Sequence, residues 1–291
     1  LLSNFVGSIA MQSSIKTMNI LQRTEIDRFL ACGEYDNSFE IWSGGTFVVR
    51  AKSGSAALRG ALISEVSTLA DRVSVPECHN SGLDINARAK FAPMVRGLFP
   101  QVEQTIILDM LEHSVVFLTP VTIIVTLEKT RWLHTAWELA NLYLASLDAK
   151  LLSDTASGLL GLSEETTCYV SMKYFGNNDP FDDYVIHEAA HIFHNCKREM
   201  VGLSESRRRE WLLEIDYAKR ETFAYACEAY SRILELGETR LARIRLLSEL
   251  AKAPMPPDKR VQGDEYVDIL REAVAARNGW KRILERCSPP K

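Results

Sequence analysis

Asp183-Tyr184-Val185-Ile186-His187-Glu188-Ala189-Ala190-His191-Ile192-Phe193-His194 is the stretch on which the reading of this chain turns. Asp182 and Asp183 are acidic at what would be the positive end of a helix, and residues 185–196 carry enough apolar groups to bury it. On a helix, residues i and i+4 share a face, so His187 and His191 aim imidazole nitrogens at one point. Neutral imidazole ligates zinc well, and two of them leave room for a third protein ligand and a water. Glu188 can reach that water without binding the metal, taking its proton and later returning it to a leaving group. The expected cofactor is therefore Zn2+, with His187 and His191 as ligands and Glu188 as the catalytic base. Ala189 and Ala190 are small enough for close packing. The competing reading is a core helix whose two histidines only hydrogen-bond.

This segment resembles the active-site helix of the zincin metallopeptidases. In that superfamily a strand shortly before the helix lies at the cleft edge and holds an extended peptide by main-chain hydrogen bonds. Residues 166–175 alternate as a strand would and are the candidate here. The resemblance spans roughly residues 115–236 and does not account for residues 1–114.

The metzincin subclass requires glycine at position 194 and histidine at position 197, where this chain has His194 and Lys197, so that subclass is excluded. His194 shares the face of His191 but lies two turns from His187. With a rise of about 1.5 Å per residue, a straight helix does not bring all three to one ion, which leaves His194 a supporting or surface role. A glutamate from a later helix is the alternative. Residues 219–230 are the most apolar part of an otherwise charged segment, and buried carboxylates there need a partner, for which a metal would serve. Glu221 and Glu228 are seven apart on roughly one face, with Ala224 between them. Glu221-Thr222-Phe223-Ala224 is similar to the ExxA segment of gluzincin-like families, including metallopeptidases that regulate bacterial prophage and radiation-response repressors. The resemblance implies Glu221 as third ligand, with Glu228 and Glu214 as alternatives. Tyr225 stands where many gluzincins have an Asp, which leaves the partner of the histidines to Glu228 or Asp183. If Glu228 is not involved, a salt bridge to Arg232 is its ordinary fate. Tyr225, Tyr230 and His194 are candidates for stabilising an oxyanion.

Outward from this core, residues 39–51 read as two strands joined at Gly44-Gly45, and residues 56–72 as a helix with Leu58, Leu62, Val66 and Leu69 on one face. A helical stretch over 86–113 is interrupted at Gly97 and Pro100. Residues 114–127 read as strand on their β-branched content. A buried helix is expected over 131–149, a long one from about 204 to 236, and a last helical pair beyond Pro254.

The 291 residues are 46% hydrophobic and 25% charged with net charge −4, an ordinary globular composition that gives no global reason to expect nucleic-acid binding. Arg207-Arg208-Arg209 is flanked by Glu205 and Glu210 and reads as a solvated helix face. The six cysteines form no CxxC pair, which argues against a disulfide scaffold or a cysteine zinc cluster. Cys78-His79 has no partner set and reads as loop. Residues 105–127, the most apolar stretch, contain Asp109, Glu112, His113 and Pro120, so a buried strand pair is expected rather than a membrane span. Residues 1–20 lack a basic segment followed by a clean apolar run, and a cytoplasmic location is expected.

The expected fold is α+β: a zincin-like domain over 115–291 with a small mixed sheet and an active-site helix, preceded by an α/β lobe over 1–114. The expected activity is a gluzincin-like zinc metallopeptidase acting on a peptide or protein substrate. A zincin-fold regulatory module that acts on one protein partner without general proteolysis is the alternative.

Overall fold

The computed structural model describes residues 18–73, 86–154, 161–173, 179–205 and 209–290. In chain order its elements are α1 (Ile20–Cys32), α2 (Phe47–Ala70), α3 (Ala87–Leu98), α4 (Gln101–Glu112), β1 (Val115–Leu118), α5 (Ile123–Lys129) and α6 (Leu133–Ser146). They continue as β2 (Gly161–Glu164), β3 (Thr167–Ser171), α7 (Tyr184–Asn195), α8 (Arg220–Leu236), α9 (Arg240–Leu250), α10 (Gly263–Ala275) and α11 (Gly279–Cys287). The result is helix-rich with a small mixed sheet of order β1-β3-β2, α+β in the general sense expected. Among the described residues no helix is long and apolar enough to cross a membrane.

Contacts divide the chain into Leu1–Cys78 with Leu118–Leu159, and His79–Phe117 with Leu160–Lys291. The boundary expected after residue 114 lies close to the division between Phe117 and Leu118. Residues 79–114 group with the histidine helix, while 118–159 group with the N-terminal segment.

In the first unit α2 carries Leu58, Leu62, Val66 and Leu69 on its buried face, as the spacing predicts. The hairpin expected over 39–51 is absent. Phe39 and Trp42 are core residues, and α2 crosses them at Gly54, where a Cβ would come within 2.4 Å of Phe39 and 2.6 Å of Trp42. The Thr46 hydroxyl caps Val49 N at 3.4 Å, so the chain after Gly45 turns into a helix. Phe47, Val48 and Val49 form its exposed first turn. The strand expected to run to residue 127 ends at Leu118. Thr119 and Thr122 exchange backbone-to-hydroxyl bonds of 2.9 and 3.2 Å around Pro120, and α5 follows. Trp137 in α6 is buried and donates its indole N–H to Leu30 O at 2.9 Å, whereas Trp132 precedes the helix, 55% exposed.

In the second unit α3 and α4 are separated at Phe99 and Pro100, the expected break at Pro100, whereas Gly97 lies inside α3 and does not interrupt it. β2 pairs antiparallel with β3. α7 is buried along nearly its whole length, which its Ala189 and Ala190 permit, and it packs against α8, β2 and β3. The long helix expected from 204 starts only at Arg220. The segment before it folds back along the end of α7, where Leu213 N donates to Phe193 O at 2.7 Å and Leu212 N to Cys196 O at 3.0 Å. Leu212, Leu213 and Ile215 are thereby buried. Arg209 lies on this extended segment rather than on a helix face; Arg207, Arg208 and the Cys78-His79 pair fall outside the described residues.

Candidate metal centre

Asp183 starts the site helix. Its carboxylate accepts from Ile186 N at 3.2 Å, satisfying one of the free donors of the first turn, and pairs with Lys90 Nζ at 2.6 Å. Burial pushes its carboxyl above the usual range, against the pull of Lys90. This anchor sets the rotation of α7, and with it the face on which His187 and His191 lie.

The two imidazoles meet as their spacing predicts, with the Nε2 atoms 3.2 Å apart. From α8, Glu221 brings Oε2 to 3.9 Å from His187 Nε2 and 3.5 Å from His191 Nε2. Ligands at zinc–nitrogen distances of about 2.0–2.1 Å in a tetrahedron stand roughly 3.3 Å apart, so the three separations bracket what one zinc needs. Among the described residues His187, His191 and Glu221 form the one group of His, Cys, Asp and Glu side chains that could hold a metal ion. Chemically the set is two imidazoles and one carboxylate, suited to zinc with a position left for water or substrate.

Glu228, two turns further along α8, takes a different place. Its Oε2 lies 3.0 Å from His187 Nδ1, on the far side of the ring from Glu221, and its Oε1 accepts from Asp183 N at 2.6 Å. It is the histidine's carboxylate partner, and the salt bridge to Arg232 does not form; Arg232 pairs with Glu235 and Pro180 O instead. Asp183 serves as the helix cap. Glu214 is elsewhere, accepting from Glu210 N and Trp211 N at 3.0 and 3.2 Å.

Glu188 is 5% exposed. Burial raises its pKa, opposed by His191 and His187. Gly161 of β2 lies against it: a Cβ there would sit 2.7 Å from Glu188 Oε1. Only glycine lets the strand pass this close to the carboxylate. Burial, with His191 second, pushes His187 down to about 4, against the carboxylates of Glu188 and Glu221. His191 goes the other way: burial opposes its charge, but the hydrogen bond to Glu221 and the charge of Glu188 prevail and raise it. Burial would raise Glu221, but His191, His187 and Arg260 together hold it below the usual carboxylate range.

Of the expected oxyanion helpers, Tyr225 stands edge-on to His187 with ring centroids 4.5 Å apart. Tyr230 packs on Trp280. His194 faces His191, with its Nε2 2.9 Å from His191 Nδ1, and its own Nδ1 is 3.0 Å from Asn195 Oδ1. Three further residues neighbour the site without any motif spacing that links them to it: Lys90, Gly161 and Arg260. Arg260 Nη2 lies 3.2 Å from Glu221 Oε1 while its guanidinium is held by Asp258 at 2.6 Å.

No protein-family model, curated protein or solved structure matches this chain.

Proposed function

We propose that the chain is a zinc-dependent peptidase of the gluzincin type, in which His187, His191 and Glu221 hold zinc and Glu188 is the general base. The observation that carries this reading is the convergence of two imidazole Nε2 atoms and one carboxylate oxygen within 4.8 Å of one another. When bound, zinc supplies Lewis acidity, polarising a carbonyl and making a water acidic near neutral pH.

The residues of the chain do the rest. Glu188, whose burial raises its affinity for a proton, accepts one from the attacking water and passes it to the amine nitrogen as the peptide C–N bond breaks. The water oxygen ends on the acyl carbon, and the proton Glu188 carried ends on the amine. Glu228 orients His187 through Nδ1. The strand expected at the cleft edge over 166–175 is central in the sheet where it is described, as β3, and residues 174 and 175 lie outside the described residues. β1 and β2 take the two edges, and of these β2 lies at the site, since Gly161 brings its backbone to Glu188. β2 is therefore the strand we assign to bind an extended peptide by main-chain hydrogen bonds.

Glu188→Gln tests the reading. It keeps the shape and removes the base, so cleavage of a mixed peptide pool should fall by about 10²–10⁴-fold while zinc content is unchanged. Biological activity that survives this substitution with zinc bound would favour the regulatory-module alternative.

A further inference from the structure

We propose that His194 is a positioning residue that fixes the ligating tautomer of His191, with Asn195 orienting His194 in turn; this rests on the zinc reading above. A neutral imidazole carries one proton, so ligation through Nε2 requires that proton on Nδ1. For His187 the requirement is met in the usual way, since Nδ1 faces Glu228 Oε2 at 3.0 Å and a carboxylate oxygen accepts. His191 is served differently. The atom facing its Nδ1, at 2.9 Å, is the Nε2 of a second imidazole, and an imidazole nitrogen can either donate or accept.

Asn195 resolves the ambiguity. Its side-chain oxygen lies 3.0 Å from His194 Nδ1. An amide oxygen only accepts, so the proton of His194 sits on Nδ1 and its Nε2 is bare. A bare Nε2 accepts from His191 Nδ1–H, which leaves the lone pair of His191 on Nε2, the atom turned towards His187 and Glu221. The relay Asn195–His194–His191 thus runs in one direction. With the Asn195 amide turned over, each step would reverse and the proton would sit on the atom that has to bind metal.

The surroundings hold the relay in place. His194 is only 4% exposed. The last turn of α7 is tied by Leu213 N to Phe193 O and by Leu212 N to Cys196 O. The i+3 offset that keeps His194 from reaching the same ion as His187 is the offset that places its ring against the back of His191.

The test is a zinc titration against a competing chelator on wild type, His194→Leu, His194→Gln and Asn195→Asp, with a 15N spectrum of the zinc-loaded wild type. Leu cannot accept, and zinc affinity should fall about 10–100-fold. Gln offers an acceptor oxygen, and Asp keeps one at 195, so both should stay within a few-fold of wild type. The spectrum should show His191 protonated at Nδ1, His194 bare at Nε2, and a 15N–15N coupling between those two nitrogens. The spectrum decides the matter should His194→Leu not fold. Wild-type affinity in His194→Leu, or a protonated His194 Nε2, would overturn this proposal alone. A folded wild type without zinc affinity would overturn the metal reading and this proposal with it.

Discussion

Two buried clusters in the same unit handle charge in opposite ways. Around Glu103, Arg198 donates to both carboxylate oxygens at 2.7 and 3.3 Å, and Arg209 does so at 3.2 Å to each. The Arg198 Nε–H goes to Ser204 O at 2.8 Å. Donors meet acceptors throughout, and the cluster closes on itself. Around His187 and His191, two Nε2 atoms, each able to donate or accept, and a carboxylate oxygen point at one another. Folding pairs the first cluster donor to acceptor. The second needs a proton or a cation between its members, which is what a metal site would present on the reading proposed above.

Removing one member of each cluster should therefore have different consequences for zinc. Glu103→Ala leaves Arg198 buried without its partner and should cost about 3–5 kcal/mol of stability, with zinc affinity per folded molecule unchanged; urea denaturation measures this. Burial would raise the Glu103 carboxyl, but Arg198 and Arg209 outweigh it and hold it below the usual range. Its contribution is hence present above the ordinary glutamate pKa and lost as the pH falls through the depressed one. In Glu103→Gln that part of the acid sensitivity should vanish, as pH-dependent melting would show.

His187→Ala should act on the metal instead. Zinc affinity should fall by more than the roughly 100-fold typical of losing an outer partner, and the metal-free protein should lose some stability too, because Glu228 is left buried without the imidazole it faces. Calorimetry with and without zinc separates the two effects.

Gly161→Ala sharpens the site side further. The new Cβ would come within 2.7 Å of Glu188 Cγ and Oε1, so Glu188 has to move and the base is displaced, while the zinc ligands are not touched. A shift near 1 Å is worth up to about 10²-fold in rate, read as kcat at constant zinc content. The smallest effect is expected from Arg260→Ala. The Arg260 side chain is 62% exposed, and a cation beside Glu221 opposes a second one, so its loss should tighten zinc binding by at most about 5-fold.

Much of this site was legible because its geometry is local. The i, i+4 spacing of His187 and His191, the acidic cap at Asp183 and the seven-residue offset of Glu221 and Glu228 all follow from one helical repeat. The helix face of Leu58, Leu62, Val66 and Leu69 was legible for the same reason. Where β-branched content stood in for periodicity, the reading failed. Phe47-Val48-Val49 and residues 123–127 are helical because Thr46 and the Thr119–Thr122 pair turn the chain there. The helix expected from 204 was charged enough to look solvated, yet its chain folds back to bury Leu212 and Leu213. Lys90, Gly161 and Arg260 reach the site from 93, 27 and 39 positions away from Asp183, Glu188 and Glu221 respectively. No repeat in the sequence encodes such pairings.

The most direct measurement is an anomalous difference map, collected across the zinc edge on crystals of protein purified without added metal. One zinc per chain is expected, within bonding distance of His187 Nε2, His191 Nε2 and a Glu221 oxygen, with a further position open. A map with no peak there, from protein that also fails to take up zinc in titration, would contradict it.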